Sequence, residues 1–141
     1  QIAPVAKDAA LIPGIQQVLV ADGPALQYGL AENVSKQIQT IASSYTHILA
    51  ASSTSSKDVL PRVAALLDIQ PLSDITAILA PNRFKRPIYA GNAMITVESQ
   101  ESIHIATVRA TTFSKAAASG GNATIKTIEP VPDSGLSQFV R

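Results

Sequence analysis

The chain has 141 residues, of which 46% are hydrophobic and 15% charged, and this length corresponds to one domain with a sizeable buried core. The formal net charge of +1 argues against a nucleic-acid or anionic-membrane surface, because such surfaces need a strong positive field. The sequence has no cysteine, which excludes disulfides and thiolate metal sites, and no apolar run approaches the roughly 20 residues that span a bilayer.

Strand and helix patterns alternate in the first half of the chain. The β-branched segment Gln17 to Ala21 ends at a turn sequence and predicts a buried strand. Apolar residues recur at helical spacing from Ala31 to Ser44, and the run from His47 to Ala51 predicts the next strand. A second helix and a strand from Ile75 to Leu79 follow. This strand-helix-strand order predicts a parallel sheet covered by helices.

Pro61 limits where the second predicted helix, the one that follows His47 to Ala51, can begin. Proline has no backbone N–H and is tolerated only in the first turn of a helix. We therefore predict that the regular helix begins near Asp58 or Val59, with Ser56 or Asp58 as its cap.

The second half of the chain changes character. Three close-set strand candidates follow one another: Arg86 to Tyr89, Ala93 to Glu98 and Ile103 to Arg109. Gly91-Asn92 is a turn dipeptide between the first two. Apolar and polar residues alternate along the later strands, which is typical of a sheet with one solvent-facing side. We interpret all three as an antiparallel extension of the parallel layer. A glycine-rich loop and a last strand from Thr124 to Ile128 come next.

Few residues have the spacing of a catalytic or ligand site. No glycine-rich phosphate motif occurs. The loop Ser52 to Ser56 joins a strand to a helix, where backbone N–H groups could bind an anion; the alternative is a simple capping loop. His47 and His104 lack metal-ligand partners at suitable spacing, so we interpret both as structural. The basic run Arg83 to Arg86 is typical of a solvated turn and is weak support for nucleic-acid binding.

Four polar residues lie at the edges of the predicted apolar strands: Asp74, Arg86, Asn92 and Arg109. An arginine near a core is costly unless it is paired, and its planar guanidinium matches a carboxylate. Our hypothesis is that Asp74 pairs with Arg86 or Arg109 and fixes the junction between the two parts of the sheet. The alternative is that the four are independent surface residues.

Four segments, in their order and spacing, resemble the alpha subunit of electron transfer flavoproteins: Tyr45 to Ala50, Lys57 to Leu67, Arg86 to Ala93 and Thr107 to Phe113. The tripeptide Ser73-Asp74-Ile75 lies between the second and third segments, as expected for that family. The resemblance covers nearly the whole chain.

The resemblance implies an α/β fold with a Rossmann-like, adenine-nucleotide-hydrolase-like sheet that is largely parallel and has an antiparallel extension. Residues 1–129 would form the N-terminal domain without its first strands, and residues 130–141 a tail that leads toward an FAD domain. The absent strands would lie between Gln17 to Ala21 and His47 to Ala51. Without them, the segment would not be a stable free-standing fold.

The resemblance also implies a function. The full-length protein would be an FAD-dependent electron carrier between acyl-CoA and other dehydrogenases and a quinone oxidoreductase of the respiratory chain. This segment would be a scaffold and an interface for the beta subunit, with no catalytic residues. FAD would be bound mainly by a C-terminal domain outside this sequence, and no cofactor is expected here. The location would be the cytoplasm in a bacterium or the mitochondrial matrix in a eukaryote.

Two other functions stay open at this point. One is a nucleotide-binding module of the adenine-nucleotide-hydrolase-like class, which would use the loop Ser52 to Ser56. The other is an independent interaction protein that has no flavin domain.

Overall fold

The computed structural model describes residues 2–140, and Gln1 and Arg141, the ends of the predicted domain and tail, lie outside the described residues. The helices are α1 (Ala3–Ala10), α2 (Ala31–Ala42) and α3 (Thr54–Leu66). The strands are β1 (Gln17–Val20), β2 (His47–Ala51), β3 (Pro71–Ile75), β4 (Ala77–Ala80), β5 (Arg83–Ile88), β6 (Ala93–Glu98), β7 (His104–Val108) and β8 (Thr124–Thr127). The α/β class with parallel and antiparallel sheets is confirmed. None of the described helices has both the length and the apolar character needed to cross a membrane.

The chain forms two compact units. The first consists of the residues up to Asn33 together with those from Ser114 onward, and the second is Val34–Phe113. In the first unit β1 and β8 form a parallel pair, with Gln17 opposite Thr124, and α1 packs on both strands. The loop before β8 passes close to the end of α1. A Cβ at Gly121 in this loop would lie 2.4 Å from the carbonyl oxygen of Ile12. Only glycine fits at such a close backbone approach.

The segment after β8 folds back onto the start of α2 within the first unit. The side chain of Asn33 is 1% exposed and donates to the carbonyl oxygen of Ala25 at 2.9 Å and to Oδ1 of Asp133 at 3.0 Å. Its own Oδ1 accepts from the backbone N–H of Ser134 at 3.0 Å. One buried amide thus joins three stretches of chain. The division of the chain at residue 130 stays a prediction.

The second unit contains a parallel sheet in the order β2, β7, β3. His47 lies opposite His104, and Pro71 lies opposite Ile105. The assignment of Ile103 to Arg109 to the antiparallel extension was therefore wrong, since β7 is the central parallel strand. Its alternating pattern was misleading because the polar residues His104 and Thr107 are themselves buried.

An antiparallel sheet in the order β4, β5, β6 completes the second unit. The strand predicted from Ile75 to Leu79 is divided between β3 and β4, which are separated by Thr76. Within β3, Asp74 adopts a positive φ of 59°, where the pairing with β7 shifts in register. Gly91-Asn92 lies between β5 and β6, as predicted. Phe84 of β5 is fully buried in one core cluster with Leu72, Ile75 and Ala106. This cluster packs the antiparallel sheet against the parallel one.

The start of α3 differs from the prediction. The cap is Ser53, whose Oγ accepts from the backbone N–H of Ser56 at 3.2 Å, and Pro61 lies inside the helix. A proline inside a helix costs about 3 kcal/mol. Each fully buried large aliphatic side chain contributes about 1.5–3 kcal/mol, and this helix buries Val59, Leu60 and Val63. Packing of this apolar face therefore outweighs the cost of the proline.

Replacing Pro61 should stabilise the protein. The substitution Pro61→Ala supplies the missing donor to the carbonyl of Lys57, and we expect the free energy of unfolding to rise by about 2 kcal/mol after the greater freedom of the unfolded chain is subtracted. Urea denaturation of the purified protein measures this change. Pro61→Gly is the matched control and should be about 1 kcal/mol less stable than Pro61→Ala. A loss of stability in Pro61→Ala would contradict the assignment.

Candidate functional site

A polar cleft opens where the three parallel strands of the second unit reach their carboxyl ends. Its volume is about 530 Å³, and its walls include Ser52, Ser53, Lys57, Asp74, Arg109 and Thr111. In parallel sheets this edge is the usual position of a ligand crevice. The cleft is therefore the candidate ligand site of the second unit.

An ion pair between Asp74 and Arg109 dominates the cleft. The Arg109 Nε lies 3.2 Å from Oδ1 and 3.1 Å from Oδ2 of Asp74, and the terminal guanidinium nitrogen Nη2 also contacts Oδ2. The backbone holds both residues in place, since Asp74 N–H donates to Oγ1 of Thr107 at 2.8 Å and Arg109 N–H donates to the carbonyl of Ile75 at 2.9 Å. Hydrogen bonds from two nitrogens of one guanidinium to one carboxylate fix the orientation of both groups.

The ion pair determines the charge of the cleft. Hydrogen bonding from Arg109 lowers the pKa of Asp74, although burial acts in the opposite direction, and the charge of Lys57 lowers it further. The same hydrogen bond raises the pKa of Arg109. Asp74 is therefore a carboxylate at neutral pH, and it neutralises the arginine that would otherwise attract an anion.

The other two residues of the predicted network lie elsewhere. Arg86 donates from Nε to the carbonyl of Ser73 at 2.8 Å and from Nη2 to its hydroxyl at 2.6 Å. Asn92 donates to the carbonyl of Tyr89 at 3.0 Å within the β5–β6 turn. The structure thus brings Asp74 and Arg109 together, attaches Arg86 to the neighbouring residue of β3, and leaves Asn92 in a local turn. A role for these residues in fixing the junction of the sheets stays a prediction.

The loop Ser52 to Ser56 supplies the cap of α3. Besides the bond from Ser56, the backbone N–H of Lys57 donates to the carbonyl of Ser53 at 3.0 Å. In the cleft beside it, the Asp74 carboxylate is paired with Arg109, so this arginine is not available to bind an anion. Within residues 2–140, no group of three or more histidine, cysteine or acidic side chains is arranged to hold a metal ion.

A strained and exposed apolar tip is the feature that sequence reasoning missed. The apolar tip consists of Ile88, Tyr89 and Met94, whose exposed fractions are 37%, 81% and 49%. Tyr89, Ala90 and Gly91 have consecutive positive φ angles of 52°, 51° and 89°. Only the glycine adopts this conformation without strain, and such outliers cluster at functional positions. The dipeptide Gly91-Asn92 predicted a turn but carried no sign of the strain at Tyr89.

Comparisons with known proteins identify the electron transfer flavoprotein family. The electron transfer flavoprotein domain model matches residues 2–133. The alpha subunit of Pseudomonas aeruginosa electron transfer flavoprotein is 45% identical over 139 residues, which cover 99% of this chain and 45% of that protein. The alpha subunit from Paracoccus denitrificans is 44% identical over 135 residues, covering 96% and 44%. The mitochondrial alpha subunit of Dictyostelium discoideum is 41% identical over 129 residues, covering 86% and 36%. The chain spans less than half the length of these curated relatives.

The ion pair should give the protein a specific sensitivity to acid. Because the pKa of Asp74 is lowered in the folded state, its contribution to stability is present above the unfolded pKa of 3.8 and is lost as the pH falls through the folded value. We expect Asp74→Asn to lower the free energy of unfolding most at neutral pH, and the difference from the wild type to shrink toward pH 3. Denaturation series across this pH range measure it.

The matched control for this prediction is Glu98→Gln. Glu98 faces Arg83 at 4.0 Å with both side chains more than half exposed, and an exposed pair of this kind contributes little. Its substitution should change the free energy of unfolding by less than about 0.5 kcal/mol. A difference between Asp74→Asn and wild type that is the same at every pH would contradict the assignment of the ion pair.

Proposed function

Because the chain belongs to the electron transfer flavoprotein family, we propose that it is the supporting part of an FAD-dependent electron carrier and that it packs against the carrier's beta subunit. The observation that carries the interface is the apolar tip of the β5–β6 hairpin. An exposed tyrosine ring at a strained φ angle does not stabilise the domain that carries it. The arrangement is explained if a partner covers the ring, because tyrosines are frequent among the residues that contribute most to protein interfaces.

The charge around the tip also favours a protein partner of defined character. Strand β5 carries Lys85 and Arg86 on its way to the tip, while Arg83 is paired with Glu98 at the far end of the hairpin. A basic strand beside an apolar tip fits a partner surface with an apolar pocket and an acidic rim, since complementary charges steer association. We assign this surface to the beta subunit.

The polar cleft offers few of the groups that FAD needs. A dinucleotide needs backbone N–H groups and positive charge for its pyrophosphate. In the cleft Ser53 caps α3 and Asp74 neutralises Arg109, which leaves Lys57 as the cation that lines it beside this pair. The proposal therefore assigns FAD mainly to a part of the full-length protein other than these residues. When FAD is bound there, its isoalloxazine ring supplies the redox chemistry, and this chain contributes support and position.

We also propose partners for the whole carrier. Electrons would arrive from acyl-CoA dehydrogenases and other dehydrogenases and would leave to a quinone oxidoreductase. The location would follow the source: the cytoplasm for a bacterial protein, the mitochondrial matrix for a eukaryotic one. The boundaries proposed for this segment are 1–129 for the N-terminal domain and 130–141 for the tail toward the FAD domain.

The test is the affinity of the full-length protein for its beta subunit, measured by calorimetry. Tyr89→Asn removes the ring but tolerates a positive φ angle, since asparagine enters the left-handed region more readily. We expect a loss of about 2 kcal/mol in binding, roughly 30-fold. The free energy of unfolding should stay unchanged or rise, because the strain is relieved. This opposite behaviour of binding and stability separates an interface role from a structural one.

Leu66→Asn is the matched control, because Leu66 is an apolar residue of α3 with 42% exposure that lies outside the hairpin. It should leave the affinity for the beta subunit unchanged. Equal affinity of wild type and Tyr89→Asn would refute the interface. Tight binding of AMP or ATP by this chain alone would instead favour the nucleotide-binding alternative. Absence of flavin absorbance from the purified full-length complex would refute the carrier.

A further inference from the structure

The two histidines of the second unit form one cluster beneath the antiparallel sheet. His47 and His104 are cross-strand partners in the parallel sheet, and their ring centroids lie 4.8 Å apart. The ring of Phe84 lies 5.8 Å from that of His104 and 6.4 Å from that of His47. His104 is 9% exposed. Two imidazolium charges at this distance would repel each other, so a charge on one ring disfavours a charge on the other.

Each imidazole attaches the parallel sheet to a connection of the antiparallel sheet. His47 Nε2 lies 2.6 Å from the carbonyl oxygen of Pro81, in the β4–β5 turn. A carbonyl only accepts, so this nitrogen carries a proton and donates, while Nδ1 of the same ring lies 2.9 Å from the hydroxyl oxygen of Thr46. His104 Nδ1 lies 3.0 Å from Oγ of Ser99, in the loop that follows β6.

Ser99 links this cluster back to the same turn. Its backbone N–H donates to the carbonyl of Asn82 at 2.8 Å, and its hydroxyl oxygen accepts from the N–H of Glu101 at 3.3 Å. When His104 is neutral, either Nδ1 or the Ser99 hydroxyl can donate the hydrogen bond between them. Protonation of His104 makes Nδ1 the donor and places a charge beside His47 and Phe84.

We propose that His47 and His104 form a pH-responsive joint that fastens the antiparallel sheet to the parallel sheet while His104 is neutral and loosens when His104 is protonated. The consequence for the apolar tip rests on the proposed function: a loosened sheet presents the tip less firmly, so the affinity for the beta subunit falls in acid. The joint itself depends only on contacts within the second unit.

The groups around His104 determine at which pH the joint responds. Burial lowers the pKa of His104, the charge of His47 on β2 lowers it further, and Glu101 in the loop after β6 raises it. Strand β5 presents the neutral ring of Phe84, because Arg83 and Lys85 alternate to the exposed side. Strand β3 adjoins β7 through Pro71 and Leu72, which are uncharged. The folded-state pKa of His104 lies below the unfolded value of 6.5. The stability contributed by neutral His104 is therefore lost as the pH falls from 6.5 through the folded-state pKa.

Amide hydrogen exchange of the full-length protein at pH 7.5 and pH 5.5, corrected for the intrinsic pH dependence of exchange, tests the joint. We expect a several-fold loss of protection on acidification in the β4–β5 turn and in residues 99–104. The buried face of α3 should keep its protection, which distinguishes a local change from global unfolding. In His104→Gln the loss should be absent. Unchanged protection in the wild type, or the same loss in His104→Gln, would overturn the proposal.

A second variant keeps the test valid if His104→Gln does not fold. His47→Gln removes the neighbouring charge, so His104 should titrate at a higher pH, which NMR titration of the His104 ring measures. The loss of amide protection should begin at that higher pH, which hydrogen exchange measures. A shift in the opposite direction, or none, would overturn the joint. Affinity for the beta subunit is measured separately. A pH-dependent exchange pattern without any binding at either pH supports the joint and refutes only the interface.

Discussion

The second unit depends on satisfying the backbone of its central strand. Strand β7 is paired on both sides, by β2 and by β3, and its residues His104 to Thr107 are buried. A buried N–H or C=O without a partner costs about as much as a lost hydrogen bond, so β7 requires both neighbours in register. The same requirement continues past the strand, where the N–H of Arg109 donates to the carbonyl of Ile75. This bond brings the guanidinium of Arg109 to the carboxylate of Asp74.

Much of this arrangement could be predicted from the sequence. Hydrophobic period and turn residues located β2 and α2 and gave the α/β class. The pairing of Asp74 with one of two arginines was among the hypotheses, because buried arginines need a planar acceptor. The position of β7 was not predictable in this way, since its pattern of alternation also fits an edge strand with one wet face. The buried polar residues His104 and Thr107 produced that pattern, and only tertiary partners reveal their burial.

Local rules failed where packing or strain dominated. The start of α3 was predicted from the chemistry of Pro61 alone, yet the helix begins at Thr54 because its apolar face is well buried and Ser53 caps it. The tip at Tyr89 is the opposite case. Its left-handed backbone opposes the local preference of tyrosine, and its ring has little burial to compensate. Conflicts of this kind between local preference and structure are expected at positions that serve a function.

The buried amide of Asn33 has a consequence for any shortened version of this chain. Its three hydrogen bonds reach Ala25, Asp133 and Ser134, so two of the three depend on residues a hundred positions away. A protein trimmed after β8 would expose that amide or leave it unsatisfied at the first turn of α2. The boundary chosen for expression at one terminus therefore affects the integrity of a helix near the other.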